Sequence, residues 1–384
     1  MFRFVVTMLL AVGAATLPAQ TQSPLFSPAP GSPVVVGEGS GHVILADVNR
    51  DGKLDLVAQH LMQKVVSVQL GDGTGRFAAA PGSPINLAYL PSDIQLGDVN
   101  SDGILDLCVV GSERNTPDTV DIFLGNGSGK FTLAPGSPAV VSASKEFKPH
   151  SLQLLDINED KKLDIIATNN QQNTIATLLG NGRGGFSPGP ASTFPAGQGR
   201  YAFAVGELDG DGHLDAVIAN GNNEFLEPGR VVVLRGDGKG AFKTVSETPV
   251  PTGPRYVTLG DVNGDGRADL VLTHGSHQLS VLLNQGGGKF APAPALSYDL
   301  GSDAWAVTVA DVNGDKKNDL IVATVESITV LLNGKSGFAP APGSPFRAGP
   351  GAFYFGIGDV NKDGKLDIAA SSFEGKTVTL LVVS

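Results

Sequence analysis

Asp47, Asn49, Asp51 and Asp55 hold the first, third, fifth and ninth places of the stretch DVNRDGKLD, and side chains at those places in a tight loop can converge on one point. Aspartate and asparagine offer hard oxygen donors, so the chemistry to expect is coordination of a hard divalent cation. Calcium takes six to eight oxygens at about 2.3 to 2.6 Å; the four side chains, with a bidentate ninth residue and the carbonyl of the seventh, supply six. Glycine at the sixth place permits the sharp turn that folds the donors inward. Magnesium fits less well, because it demands stricter octahedral geometry and keeps more waters.

The pattern returns six times more. The equivalent donors are Asp98, Asn100, Asp102 and Asp106, then Asp156, Asn158, Asp160 and Asp164, then Glu207, Asp209, Asp211 and Asp215. The last three loops supply Asp261, Asn263, Asp265 and Asp269, then Asp311, Asn313, Asp315 and Asp319, then Asp359, Asn361, Asp363 and Asp367. These places hold 22 of the chain's 38 acidic residues, three in each of six loops and four in the fourth, and without cations they would repel one another. Seven divalent ions would bring the formal charge from -11 to +3, so up to seven calcium ions are the expected cofactors. One copy alone would read as a set of good turn formers; seven in register do not. The EF-hand is excluded because the twelfth place of the first loop is Ala58 inside a strand pattern, and nonapeptide β-helix repeats because their period is nine. Lys161 and Lys316 replace the glycine at the sixth place, so the loops starting at Asp156 and Asp311 should bind most weakly. In ELDGDGHLD the extra carboxylate of Asp209 offsets the longer Glu207.

These loops need elements that present them at a fixed spacing. Their first residues are separated by 51, 58, 51, 54, 50 and 48 residues, a period near fifty. Each unit has an apolar strand entering the loop, a second such as LDLVAQ, a third such as VVSVQL, a Gly-rich hairpin and a Pro-rich outer segment, often APGSP. Four short strands per unit form the blade of a β-propeller. The Phe after the hairpin occurs at Phe26, Phe77, Phe131, Phe186, Phe242, Phe290 and Phe338, and the first copy precedes the first loop. The chain ends straight after the third strand of the last unit. The expected fold is therefore all-β, a seven-bladed β-propeller of four-stranded blades, closed by the N-terminal strand completing the last blade, which leaves no open edge.

With 384 residues and 41% hydrophobic content the chain can bury a core, and Gly and Pro recur as punctuation between strands rather than as disordered tracts. Residues 1–19 read as a signal peptide, with Arg3, an apolar run from Phe4 to about Leu17 and a small-residue cut after Ala19; 20–384 then form one propeller domain. The expected location is extracellular or periplasmic, with no transmembrane segment in the mature chain. Cys108 is the only cysteine, a small buried hydrophobe, so no disulfide framework exists. No Lys/Arg stripe suggests nucleic acid, and a monomer is expected.

Seven fifty-residue units carrying DVNGDG-x-x-D between the first and second strands resemble the FG-GAP, or VCBS-type, repeats of the integrin α-subunit propeller and of many secreted bacterial proteins. The resemblance covers residues 23–384 and implies calcium at the Asp and Asn positions named above. It implies no particular ligand, because the fold hosts adhesion, sugar binding and some catalysis.

Catalytic motifs are scarce: H-E-x-x-H, G-x-S-x-G and C-x-x-C do not occur. GNGSGKF at 125–131 lacks the Ser or Thr of a phosphate loop and reads as a hairpin. His274 and His277, in THGSHQ, read as members of a solvated loop. Five or six residues before each loop stand His42, Asp93, His150, Tyr201, Tyr256, Trp305 and Tyr354, which either fill the central channel or form a binding face. With Arg200 and Arg255 beside them, the His, Tyr and Trp members are candidate ligand-binding residues for a carbohydrate or an extracellular protein. The connections at 111–120 and 220–230 are further candidates. The expected function is a secreted calcium-binding module for binding or adhesion, more a binder than an enzyme. The alternative is an extracellular propeller enzyme, polysaccharide lyase-like, with its site on the rim opposite the loops.

Overall fold

The structure, a computed structural model, describes residues 23–112, 118–142, 149–169, 174–195, 200–221 and 228–384. Within them the chain forms seven antiparallel sheets of four or five strands, each a blade. The first blade shows the plan: Ser40–Ala46 innermost, then Asp55–His60, Val65–Gly71 and Phe77–Ala79 outermost. The second strand is buried along its whole length here and in Asp269–His274, Asp319–Thr324 and Asp367–Ser372. Neighbouring blades cover both of its faces, which is why these strands read as continuous apolar runs rather than as alternating ones.

The core is a set of layers between blades. Val57 and Val68 of the first blade pack with Ile94, Leu107 and Val109 of the second. The ring closes as the count of phenylalanines implied. Phe26–Pro28 pairs with Thr377–Val383, in the register Phe26 opposite Val383 and Pro28 opposite Leu381. Phe26 is 2% exposed and packs its ring edge-on against Phe346 of the sixth blade, 5.3 Å away, so the closing strand is also packed against the neighbouring blade.

Two local devices explain repeated letters. In APGSP the serine hydroxyl accepts the third-strand N–H that the broken outer strand leaves over: Val68 to Ser83, Ile122 to Ser137, Val330 to Ser344, and Leu380 to Ser32 across the seam, at 2.9 to 3.0 Å. The third strand ends in glycine at Gly71, Gly125, Gly180 and Gly236, because a Cβ there would stand 2.0 to 2.2 Å from a loop carbonyl, that of Leu54, Leu105, Leu163 or Leu214. Both devices fix where the acidic loop sits.

The hairpin at 125–131 is a turn between strands, its Ser128 N–H bound to Asn126. Cys108 is fully buried, and burial pushes its thiol pKa up. One expectation is corrected: His274 is not in a solvated loop. It ends a buried strand, with Nδ1 3.1 Å from the Thr252 carbonyl and Nε2 2.8 Å from Ser280 Oγ. His60 takes the same place in the first blade, between the Glu38 carbonyl and Ser67 Oγ. His277 is exposed, 3.5 Å from Asp303. Residues 1–22, residues 113–117 of the 111–120 connection and residues 222–227 lie outside the described residues, and no described helix is long and apolar enough to cross a membrane.

Candidate functional site

Each acidic loop is held by its own backbone before any ion is considered. In the six loops that begin with Asp, one oxygen of that residue accepts the N–H of the sixth residue at 2.7 to 2.8 Å. The fifth residue accepts the N–H of the seventh in all seven loops, at 2.8 to 3.0 Å. The sixth residue is left-handed throughout, including Lys161 at φ 64° and Lys316 at φ 67°, so both lysines keep the turn that glycine makes elsewhere. The fourth place is left-handed too, at Arg50, Ser101, Glu159 and Lys362 and at the glycines of the other three loops. Sequence reasoning missed this second position, because four of its seven occupants carry no conformational signal.

The ninth residue differs from its expected role. Asp55 accepts from Val48 N and from Gly71 N, each at 2.9 Å, and Asp106, Asp164, Asp215, Asp269, Asp319 and Asp367 repeat the arrangement. Both oxygens are thus engaged by backbone, tying loop to third strand, and only their second lone pairs face a cation. Burial, reinforced by the nearby loop carboxylates, outweighs these bonds and raises the pKa of all seven, to about 6 at Asp106 and Asp367. A buried carboxylate so crowded by negative charge suits a cation beside it.

The fourth loop comes closest to a cation site as it stands. Glu207, Asp209 and Asp215 bring carboxylate oxygens within 4.8 Å of one another, and this group could hold a metal ion. Asp211 turns instead to Arg235, whose guanidinium lies 2.6 Å from it and 3.0 Å from Asp209.

At the other end of the inner strands the chain builds a small polar well on the propeller axis. A seven-residue strand separates the two ends by about 20 Å. His42, Asp93, Arg255, Tyr256 and Tyr354, drawn from four blades, line a cavity of about 90 Å³ together with Gln59. Asp93 is 5% exposed; one oxygen accepts from Ser151 Oγ at 2.7 Å and Leu152 N at 2.9 Å. Its other oxygen accepts from Ile94 N and stands 2.9 Å from His42 Nδ1, an ion pair whose N–H lies off the line of centres. Burial would raise the Asp93 carboxyl, but His42, Ser151 and Leu152 hold it below the ordinary value. Burial likewise would lower His42, and Asp93 reverses this, leaving the imidazole above its usual pKa. Trp305 stands beside the well with the Arg255 guanidinium 4.2 Å from its ring centroid and Phe353 at 4.2 Å.

Five of the eight candidate ligand-binding residues are thereby placed at or next to one cavity. His150, Arg200 and Tyr201 begin inner strands of the third and fourth blades, but their side chains lie outside the described residues. Gln59, Ser92 and Ser151 were missed as lining. The signal for Gln59 was a polar amide inside the buried run LDLVAQH.

Seven blades, an acidic loop after each inner strand and an axial well define a repeat propeller with acidic loops. The chain belongs to the FG-GAP-like repeat family, which matches residues 47–109, 98–167, 156–218, 208–272, 261–322 and 311–370. The T-cell immunomodulatory protein of Homo sapiens is 26% identical over 274 residues, 63% of this chain and 43% of that protein, and the Rattus norvegicus protein is 24% identical over 276 residues, with the same coverage. This chain therefore spans less than half the length of those curated relatives. Among solved structures, it resembles an Agrocybe aegerita lectin described as recognising non-reducing terminal N-acetylglucosamine, with 21% identity, TM-score 0.57, and 89% of this chain and 87% of that one covered. It also resembles BBS1N, solved in complex with ARL6DN, with 15% identity, TM-score 0.62, and 94% and 98% covered. At these identities the likeness is one of fold.

Proposed function

We propose that the chain is a secreted, calcium-stabilised propeller that serves as a binding or adhesion module for a carbohydrate or an extracellular protein. The observation that carries this reading is the axial well, where side chains from four blades converge on one small polar cavity at the end of the fold remote from the acidic loops. A rigid closed ring holding unlike side chains around one opening is suited to recognition. The lectin among the structural neighbours is in keeping with a sugar ligand.

Calcium fits the loops by donor chemistry: oxygens at the first, third, fifth and ninth places, with the ninth carboxyl raised by burial and further by its acidic neighbours. Bound there, the cation supplies charge neutralisation, while Asp106 and its equivalents keep the loop tied to the third strand. Export through residues 1–19, and release as one domain of 20–384, belong to the same proposal.

The His42 and Asp93 pair beside Tyr256 favours a second reading, that of a polysaccharide lyase-like enzyme, since a carboxylate-held imidazole next to a phenol can move protons. Glycan and secreted-protein arrays, probed in calcium and in EDTA, separate the readings. Capture without product supports the module; new unsaturated sugar ends support the enzyme; no capture on either array removes the proposal.

A further inference from the structure

The axial well carries more than its position. Gln59 is 1% exposed; its Nε2 donates to the Ser92 carbonyl at 3.2 Å, while its Oε1, buried on the well's wall, meets no partner. A buried amide oxygen left in this state is costly, and a hydrogen-bond donor entering the well beside Gln59 would relieve that cost. Asp93 does not compete for that role, because both its oxygens are taken by Ser151, Leu152, Ile94 and His42. It pairs with His42 Nδ1 and so fixes that ring in the lining of the well.

We infer that the well takes the end of a neutral saccharide chain, one hydroxyl-rich ring entering edge-first, with Gln59 Oε1 accepting from a hydroxyl and Tyr256 and His42 as polar neighbours. This deepens the binding reading above and rests on it. Three exclusions lead there. A cation is disfavoured because the Arg255 guanidinium is in the lining. A carboxylate cannot donate to Gln59 at neutral pH. A hydroxyl both donates and accepts through one atom, which suits a wall carrying an amide oxygen, an imidazole, a guanidinium and phenols within about 90 Å³. So small a cavity has room for the edge of one ring rather than for a length of chain. The rings of Tyr256 and Tyr354 add apolar faces of the kind that pack on a pyranose.

A larger groove, about 350 Å³, lies between Pro249–Pro251 and Tyr298 on the outer side of the fourth and fifth blades. Its lining is largely proline and aliphatic, and it supplies the control. Saturation-transfer NMR with the calcium-loaded full chain would use methyl glycosides of hexoses, N-acetylhexosamines and uronates as probes. At least one neutral glycoside should bind, with affinity lowered tenfold or more by Gln59→Leu and by Tyr256→Phe, and unchanged by Tyr298→Ala. Tyr256→Phe removes one oxygen only, so it decides the matter if Gln59→Leu fails to fold. Equal affinity in wild type and Tyr256→Phe, or binding of uronates alone, overturns the inference while leaving a binding module. Hits on a protein array with no glycoside bound do the same, and the absence of both removes the module as well.

Discussion

The two ends of each inner strand follow opposite rules. At the loop end seven copies repeat nearly the same nine residues and the same hydrogen bonds; at the axial end the seven corresponding places hold two His, an Asp, three Tyr and a Trp. Each blade needs the same tight turn between its first two strands, closed by the same bond from the seventh N–H to the fifth carboxylate, so the loops converge on one solution. The axis imposes nothing of the kind: side chains of several blades meet at the well, and identical ones would crowd or repel each other. Unlike residues are therefore what an axial site requires, and asymmetry is what lets a ring of similar blades recognise an asymmetric ligand.

Calcium removal is the strongest way to break this comparison. With calcium near 1 mM and module-type affinities of about 0.1 to 1 mM, each filled loop contributes roughly 0.4 to 1.4 kcal/mol. Several together should move the melting temperature by about 5 to 15 °C between saturating calcium and EDTA. Scanning calorimetry in the two buffers checks this, and coincident curves would leave the loops as turns only.

Next in size is a contrast within one loop. Asp106→Asn places an amide where both oxygens now accept backbone N–H groups, so one buried donor loses its acceptor, at a cost of about 1 to 3 kcal/mol. That loss should appear with or without calcium. Asp102→Asn, on the exposed side of the same loop, should lower stability in calcium and change little in EDTA. Urea unfolding of both variants in both buffers distinguishes scaffold from ligand. If Asp106→Asn were harmless in EDTA, the backbone role of the ninth carboxylate would be wrong.

These roles also mark where sequence reading reached its limit. The fold was legible because a period near fifty, the seven phenylalanines and the truncated last unit each constrain topology independently, and Phe26 paired opposite Val383 shows the closure they imply. The loop donors were legible as a spacing. What Asp106 does with its oxygens was not, since its partner at Gly125 lies 19 residues away and comes into reach only when the third strand folds back. His274 was misplaced for a related reason: in THGSHQ the polar letters suggest solvent, yet the Thr252 carbonyl and Ser280 hydroxyl satisfy the ring inside the blade. Gln59 matters because of an atom with no partner, a property of packing that no spacing encodes.

The buried histidines give a smaller effect with a definite sign. His60 and His274 are fully buried, and burial lowers both pKa values below the ordinary one. An unfolded chain then takes up protons first as pH falls, so their stabilising contribution is complete above about pH 6.5 and is lost progressively on acidification through the lowered folded values. His42 and His213, whose pKa values are raised, contribute with the opposite sign over the same range, so the comparison of wild type with His60→Asn, made in saturating calcium, singles out the His60 contribution. Stability measured from pH 7.5 to 5 should fall, and His60→Asn should flatten the slope while lowering the plateau. An unchanged slope would mean that His60 does not carry the pH dependence.

The smallest expected change compares one loop with another. Lys161 and Lys316 hold left-handed backbone at a place that is glycine in five loops, which costs an L-residue about 1 to 2 kcal/mol, and glycine returns part of that gain as added freedom in the unfolded chain. Lys161→Gly and Lys316→Gly should therefore each stabilise by about 0.5 kcal/mol in EDTA. In calcium the gain should be larger, because a lysine cation leaves the neighbourhood of the loop at the same time. A gain equal in both buffers would assign the lysine effect to backbone alone, and those two loops would then rank with the others for calcium.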